Sequence, residues 1–473
     1  MLHHHPNCGT GGGGLHRRQV IQSLLAGSLL LPGLLSELLA ADAPSTTDPL
    51  AEKPPHFRGR AKRVIFLFMQ GGVSHLDSFD YKPQLVADHG KTLQYRNEGQ
   101  TTPLVRPQWK FKPRGECGML ISDLFPNIAR CADDLCLIRS MKTNIGDHYQ
   151  DTLGIHTGSW NLSRPSLGAW TSFGLGNSNG NLPSYVVIAP HTPYAGGQLW
   201  SADFLPAYHQ GTHVIPGDDP IPNVKRRSTN ANLQHLELSL LETFNRQHLQ
   251  MRDGDAALVG RVKAFETAAG MQLAAPEAFD LSHESDATLA MYGLPRGSTE
   301  GYAWQCLVAR RLAERGVRFI ELIDVGASNN WDAHGDMQTH APLAKNVDQP
   351  IAALLTDLKS RGMLDETLVV WTTEFGRTPN RDDSGGEGAT GRGHQATAFS
   401  TWLAGGGVKP GLVYGQTDEY GKNVVENEVH VHDLHATILH LLGMDHEQLT
   451  YRHAGRDFRL TDVHGKVVKA LLM

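Results

Sequence analysis

The chain has 473 residues, of which 40% are hydrophobic and 19% are charged, a balance that favours a globular protein over a disordered one. Its length allows one large α/β domain or two ordinary domains. The formal net charge is -6, the pI is about 6.5 and no basic stripe dominates, so we expect no nucleic-acid partner.

The first 43 residues have the order of an export signal. Arg17 and Arg18 precede an apolar run at 24–35, and small residues follow it. Adjacent arginines are typical of a twin-arginine signal, and the run is shorter than the roughly 20 residues that span a bilayer. We therefore expect a cleaved signal over 1–43, a linker over 44–62 and a protein of the periplasm or cell envelope without a transmembrane span. An uncleaved N-terminal anchor is the alternative.

Beyond the linker, predicted helices and buried strands alternate. The apolar run VIFLFMQ at 64–70 predicts a strand buried on both faces. Further elements are predicted as a helix and strand over 122–138, a strand at 185–190, helical periodicity over 230–272, a helix at 302–316, a strand at 318–326, a helix at 345–362, strands at 367–376 and 396–406, and a helix at 432–443. This alternation predicts an α/β fold, with a mostly parallel central sheet and helices on both faces.

One α/β domain over 63–473 accounts for this pattern. Residues 160–300 are richer in Gly, Asn, Pro and Ser, and we interpret them as a large insertion that could cap a site. Four cysteines follow the predicted signal, and either small buried thiols or a disulfide formed after export would suit them. These are Cys117, Cys131, Cys136 and Cys306.

Acidic and histidine side chains occur where the predicted strands end. In an open parallel sheet, ligands bind beyond the carboxyl ends of the strands, so these side chains are expected at one edge. They are Asp77 after the first strand, Asp332 and His334 after the strand at 318–326, Glu374 from the strand at 367–376, and His394 just before the strand at 396–406. Together they form the predicted site.

A divalent metal is the physical reason to gather such groups. Several carboxylates in one cleft repel each other at short range, and a cation removes that cost. Carboxylate oxygen with imidazole nitrogen suits Zn²⁺ first, with Mn²⁺ or Mg²⁺ as alternatives. Each residue also has a structural alternative: Asp77 in a turn, Asp332 and His334 in a surface loop, Glu374 in a salt bridge with Arg377, and His394 as a lone loop histidine.

The strings GGVSHLDSFDYKP, NNWDAHGDM, LVVWTTEFGRTPN and GRGHQ resemble the DUF1501 family, which is common in planctomycetes. Proteins of that family are similar to the alkaline phosphatase and sulfatase superfamily, and the resemblance runs from about residue 62 to the C-terminus. It implies an alkaline-phosphatase-like fold. It also implies metal ligands at the five positions of the predicted site.

Two departures from the superfamily pattern stand out. Glu374 is followed by Phe375, where a histidine is usual. Counting back from Thr157, the position of the nucleophile falls on His148, which could serve as a base or a ligand, and there is no C-x-P-S-R string of a formylglycine sulfatase. Ser74, Thr143 and Thr152 are alternative nucleophiles.

Two functions remain open. One is a metal-dependent hydrolase of phosphate or sulfate esters, with Arg377 holding the anionic group and with a sulfated or phosphorylated glycan among the substrates considered. The other is a non-catalytic exported binding protein on a degenerate scaffold of the same kind. The sequence leaves the oligomeric state open.

Overall fold

Strands and helices alternate along the chain in its computed structural model. The structure describes residues 49–92, 102–222, 230–252, 255–326 and 330–473, apart from 383, 385 and 387, so the predicted export signal lies outside the described residues. The strands are β1 Arg63–Met69, β2 Phe111–Arg114, β3 Met119–Ser122, β4 Leu135–Lys142, β5 Tyr185–Ile188, β6 Thr212–Val214, β7 Phe319–Asp324, β8 Thr367–Thr372, β9 Gly376–Arg381, β10 Arg392–Gln395, β11 Phe399–Ala404, β12 Leu412–Tyr414, β13 Gln416–Thr417, β14 Val424–Glu426, β15 Val429–His430, β16 Tyr451–His453 and β17 Arg456–Phe458. The helices are α1 His75–Ser78, α2 Pro83–Ala87, α3 His148–Thr157, α4 Leu167–Leu175, α5 Ala231–Met251, α6 Ala256–Phe279, α7 Asp286–Tyr292, α8 Gly301–Glu314, α9 His340–Ser360 and α10 Val431–Leu441.

A nine-stranded sheet forms the centre of the fold. Its order is β12-β4-β11-β8-β1-β7-β5-β6, and β15 also pairs with β4. Strand β1 pairs in parallel with both β7 and β8, whereas β11 is antiparallel to both of its neighbours. The predicted α/β fold with a mostly parallel sheet is therefore confirmed.

Strand β1 shows why its sequence is apolar without interruption. Ile65 and Leu67 belong to one core cluster, while Val64 and Phe66 belong to another. Successive side chains of a strand point to opposite faces, so helices must cover the sheet on both sides. The same argument applies to β7 and β8, whose residues are all buried.

The region over 160–300 contributes to the sheet as well as to the surface. Strands β5 and β6 lie inside these limits and are part of the nine-stranded sheet. The helical periodicity over 230–272 corresponds to two helices, α5 and α6. The four cysteines of the described chain are free thiols. None of the helices in the described part of the chain has the length and apolar character that a bilayer crossing needs.

The reversed strand β11 determines which edge of the sheet receives functional groups. Residues that follow β4, β7 and β8 leave the sheet at its carboxyl edge. Because β11 runs in the opposite direction, residues that precede it arrive at that same edge. This is how His394, in β10, meets side chains that follow other strands.

Candidate metal centre

Four side chains converge at the carboxyl edge of the sheet. His148 is the first residue of α3, Asp332 and His334 lie in the loop after β7, and His394 lies in β10. One potential ligand atom from each of the four lies within 4.8 Å of the others. The structure thus brings together Asp332, His334 and His394, as the sequence predicted, and adds His148 to them.

Asp332 Oδ1 contacts all three histidines of this group. It lies 2.8 Å from His334 Nε2, 3.2 Å from His148 Nε2 and 3.3 Å from His394 Nε2. The Nε2 atoms of His334 and His394 are 3.0 Å apart. All three imidazoles therefore present the same ring atom to one carboxylate oxygen.

The other ring nitrogen of each histidine has an acceptor. His394 Nδ1 is 2.8 Å from the carbonyl oxygen of Gly146, His334 Nδ1 is 2.9 Å from Asp382 Oδ2, and His148 Nδ1 is 2.7 Å from Glu374 Oε1. A carbonyl oxygen only accepts, and ionised carboxylates do the same, so each Nδ1 is the protonated donor. When a ring is neutral, this tautomer leaves its Nε2 with a lone pair directed at the centre.

Such an arrangement favours a positive charge at its centre, either a proton or a metal ion. Lone pairs and a carboxylate about 3 Å apart repel each other, and His148 Nε2 is buried without a hydrogen-bond partner among the described residues. A tetrahedral Zn²⁺ with ligand bonds of about 2.0–2.1 Å separates its ligand atoms by about 3.3 Å. The separations of 2.8–3.3 Å around Asp332 Oδ1 are close to that value. Three imidazoles and one carboxylate therefore fit a single Zn²⁺ or a similar borderline cation.

Two neighbouring carboxylates favour a positive charge on the His148 imidazole. Burial lowers the pKa of His148, but the adjacent carboxylates of Asp332 and Glu374 raise it to about 9. Despite its own desolvation, Asp332 has a pKa held well below the ordinary range by His148, His394 and Arg377. A cation at the centre would replace the proton that His148 otherwise holds.

Glu374 lies behind His148. Its carboxylate is fully buried and accepts hydrogen bonds from the backbone N–H of Gly71 and from Thr373 Oγ1 as well as from His148. At φ 115°, Gly71 adopts a conformation that favours glycine, and a Cβ atom there would lie 2.6 Å from the backbone nitrogen of Trp331. Glu374 therefore orients the His148 ring and lies outside the group of four, whereas the sequence predicted it as a metal ligand.

Phe375 fills the position where the superfamily pattern has a histidine. Its ring is buried, and its centroid lies 4.5 Å from that of His394 and 4.8 Å from that of His148. An apolar ring here cannot coordinate a second ion beside the first. Phe375 therefore adds no ligand atom to the four that converge.

Arg377 is fully buried beneath the same group. Its Nη2 donates to Asp332 Oδ1 at 2.6 Å, its Nε to the carbonyl oxygen of Gly72 at 2.8 Å, and its Nη1 to that of Arg392 at 3.1 Å. Arg377 pairs with Asp332 and not with Glu374. Because its side chain is fully buried, it is also not placed to contact a substrate anion. The Arg377 guanidinium instead holds the carboxylate of Asp332 in position.

Asp77 lies outside the group of four. Its Oδ2 pairs with Arg392 Nε at 2.8 Å and accepts from Ser74 Oγ at 2.6 Å, while its Oδ1 accepts from the backbone N–H of Gln108. Both Asp77 and Arg392 are fully buried. An internal ion pair therefore neutralises the acid that the sequence predicted as a metal ligand.

The three alternative nucleophiles also have defined surroundings. Ser74 donates to Asp77 as described, and Thr143 Oγ1 donates to Asp151. The hydroxyl of Thr152 is buried in α3 without a hydrogen-bond partner among the described residues. The sequence patterns did not indicate two further contributors to the centre: Asp382, which follows β9 outside the central sheet, and Gly146, which contributes a backbone carbonyl from the loop after β4.

The chain is similar to one protein family and to several solved structures. The family model described as "Protein of unknown function (DUF1501)" matches residues 61–472, and no curated protein matches the chain. Among solved structures, the chain is similar to the lipoteichoic acid synthase LtaP from Listeria monocytogenes (10% identity, TM-score 0.38, 88% of this chain and 79% of that one). It is also similar to alkaline phosphatase from the Antarctic bacterium TAB5 (12%, 0.34, 82% and 99%) and to the PsFucS1 sulfatase from Pseudoalteromonas sp. (11%, 0.33, 82% and 69%).

Proposed function

The chain belongs to the DUF1501 family, and we propose that it is a metal-dependent hydrolase of phosphate or sulfate esters in the cell envelope. The observation that supports this most is the convergence of three Nε2 atoms and one carboxylate oxygen, with every Nδ1 already engaged. The order of Arg17–Arg18, apolar run and small residues supports export.

Each residue has a distinct role in this proposal. His148, His334, His394 and Asp332 would hold the ion, and an ion that accepts a fifth ligand on its exposed side would polarise an ester oxygen or lower the pKa of a water molecule. Glu374 and Asp382 orient two of the rings, as carboxylates commonly do for histidine ligands. Arg377 fixes Asp332 from below.

The open side of the centre suits an anionic group. The side chains of His334, His394 and His148 are 34%, 25% and 15% exposed, so the centre faces solvent on one side. A divalent cation with one carboxylate ligand and three neutral imidazoles has a net charge of about +1. That charge attracts a phosphate or sulfate ester, including one borne by a glycan.

A non-catalytic binding protein is the second candidate. The Ser74 and Thr143 hydroxyls donate to aspartates, and Arg377 is fully engaged by internal partners. These observations favour a centre that binds an anion without forming a covalent intermediate on a side chain. The same metal centre serves both candidates, so only turnover distinguishes them.

The test combines metal analysis with a substrate panel. Purified protein should contain about one equivalent of metal, and it should hydrolyse at least one of a phosphate monoester, a phosphate diester and a sulfate ester after Zn²⁺, Mn²⁺ or Mg²⁺ is added. The double variant Asp332→Ala/His334→Ala should lose both properties. His248→Ala is the matched control, because that histidine is exposed on α5 and outside the centre.

Metal content and ester turnover distinguish the hydrolase from the binding protein. Metal without turnover of any ester would support the binding protein and overturn the hydrolase. Unchanged metal content in the double variant would overturn the ligand assignment itself.

A further inference from the structure

Helix α5 has an apolar face that no other described part of the chain covers. It has 21 residues, and none of its described side chains is buried; the half-buried ones are Gln234, Asn245 and Leu249. Most of the stability of a helix in a folded protein comes from packing an apolar face against other elements. Among the residues that the structure describes, this helix therefore has no packing partner for most of its surface.

Five large side chains lie along one side of α5, and we call them the apolar ridge. They are Leu233, Leu236, Leu240, Phe244 and Met251, and they are 48%, 66%, 57%, 58% and 76% exposed. At 3.6 residues per turn, their spacings place all five within about 80° of one another around the helix. With a rise of 1.5 Å per residue, the ridge is about 27 Å long.

A groove lies beside the ridge, between α5 and α6. It has a volume of about 610 Å³, and its apolar lining includes Leu238, Leu241 and Phe265. These three side chains are themselves 37%, 56% and 66% exposed. Ridge and groove together form a surface, the α5–α6 arm, with both a protruding and a recessed apolar part.

The size of this surface matches what a dimer needs. Seven large apolar side chains of α5 and Phe265 of α6 are exposed. If each of these eight side chains buries about 60 Å², the two copies together bury about 1,000 Å² of side-chain surface. That is the area at which specific protein–protein interfaces begin.

The charges on α5 favour a second copy over a membrane. The helix has two acids, Glu237 and Glu242, and one base, Arg246, so its formal charge is -1. Glu242 and Arg246 also pair with each other. Helices that lie on anionic lipid are instead rich in Lys and Arg on their polar face, whereas a nearly neutral helix meets little repulsion from its own copy.

We propose that the α5–α6 arm is a dimerisation surface, on which the apolar ridges of two copies pack about a two-fold axis. A two-fold interface uses the same patch on both subunits, so a patch with both ridge and groove can complement itself. This inference is independent of the proposed hydrolase function, because the arm contains none of the metal-centre residues.

Sedimentation velocity on the 473-residue chain tests the proposal. At about 10 µM the protein should sediment as a dimer, and it should remain one in 1 M NaCl, since an apolar interface is not screened by salt. Leu240→Glu should weaken dimerisation at least 100-fold and give a monomer with unchanged metal content and helix content. Gln250→Glu, which adds the same charge to an exposed residue of α5 away from the ridge, should stay dimeric.

Disulfide cross-linking tests whether the α5 helices of two copies pack against each other through the apolar ridge. Leu240 lies near the middle of α5, so Leu240→Cys should form a disulfide-linked dimer on mild oxidation, and Gln250→Cys should not. A monomer at all concentrations, or a dimer indifferent to Leu240→Glu, would overturn the proposal. Binding of the monomer to vesicles of phosphatidylcholine and phosphatidylglycerol, without dimerisation, would assign the arm to a lipid surface instead.

Discussion

His334 points Nε2 at the centre because Asp382 holds its Nδ1 at 2.9 Å. Removing such a partner typically costs 10–100-fold in metal affinity. We therefore expect Asp382→Ala to weaken Zn²⁺ binding by about that factor, and Asp382→Asn, which keeps an oxygen acceptor, to weaken it less. Competition with a chromophoric chelator measures both. Asp365→Ala, at an exposed site elsewhere, is the control, and unchanged affinity in Asp382→Ala would remove Asp382 from the centre.

Asp324 ends strand β7 just before the loop that contains Asp332. Its buried carboxyl accepts from Trp331 Nε1 at 2.6 Å, and burial raises its pKa to about 6. An acid with a raised pKa stabilises the fold fully below its unfolded value near 3.8. That contribution is lost as the pH rises from about 4 to above 6.

Replacing this acid should therefore change the pH dependence of stability. Asp324→Asn keeps an oxygen acceptor for Trp331 and removes the titration, so its free energy of unfolding relative to wild type should rise by up to about 3 kcal/mol between pH 4 and pH 7. Urea denaturation at a series of pH values measures the difference. A constant difference across this range would mean that Asp324 has an ordinary pKa.

At the residue scale, the sequence predicted where groups follow strands but not what neutralises them. Asp332, His334 and His394 come together because strand ends share an edge. Asp77 also follows a buried strand, yet Arg392, 315 positions away in the chain, pairs with it. No local pattern indicates a partner at that distance.

Helix α3 positions His148 through its first turn. Asp147 is the N-cap, and its side chain accepts from the backbone N–H of Gln150 at 3.1 Å. Loss of such a cap costs about 1 kcal/mol. We expect Asp147→Ala to lower the free energy of unfolding by about that amount and to weaken metal binding, while Asp147→Ser, which can still cap, changes both little. Equal losses in the two variants would show that capping is not the cause.

The direction of β11 is an element-scale feature that sequence periodicity cannot predict. Its apolar residues predict a buried strand, and such a run has the same pattern in either direction. The structure shows β11 antiparallel to β4 and β8, after the β9–β10 hairpin has returned the chain to the carboxyl edge. His394 depends on that reversal for its place in the centre.

Metal binding should be visible in the stability of the whole molecule. A ligand that binds only the folded state adds about 2.7 kcal/mol at 100 times its dissociation constant. We expect Zn²⁺ to raise the urea midpoint and EDTA to lower it. In Asp332→Ala/His334→Ala neither addition should have an effect, and a full Zn²⁺ response in that variant would place the metal elsewhere.

At the scale of the whole molecule, the fold class followed from the sequence because continuous apolar strands alternate with helices. The α5–α6 arm did not, since helical periodicity normally indicates a face turned to the core of the same chain. Helix α5 has the periodicity but buries none of its described side chains. A single chain's sequence does not distinguish packing within one molecule from packing between two.

Anomalous diffraction at the zinc edge, from crystals grown with Zn²⁺, tests the metal centre most directly. We predict one peak per chain, about 2.0–2.2 Å from Nε2 of His148, His334 and His394 and from Asp332 Oδ1. A peak beside Asp77 or Glu374 instead, or no peak among these four side chains, would contradict it.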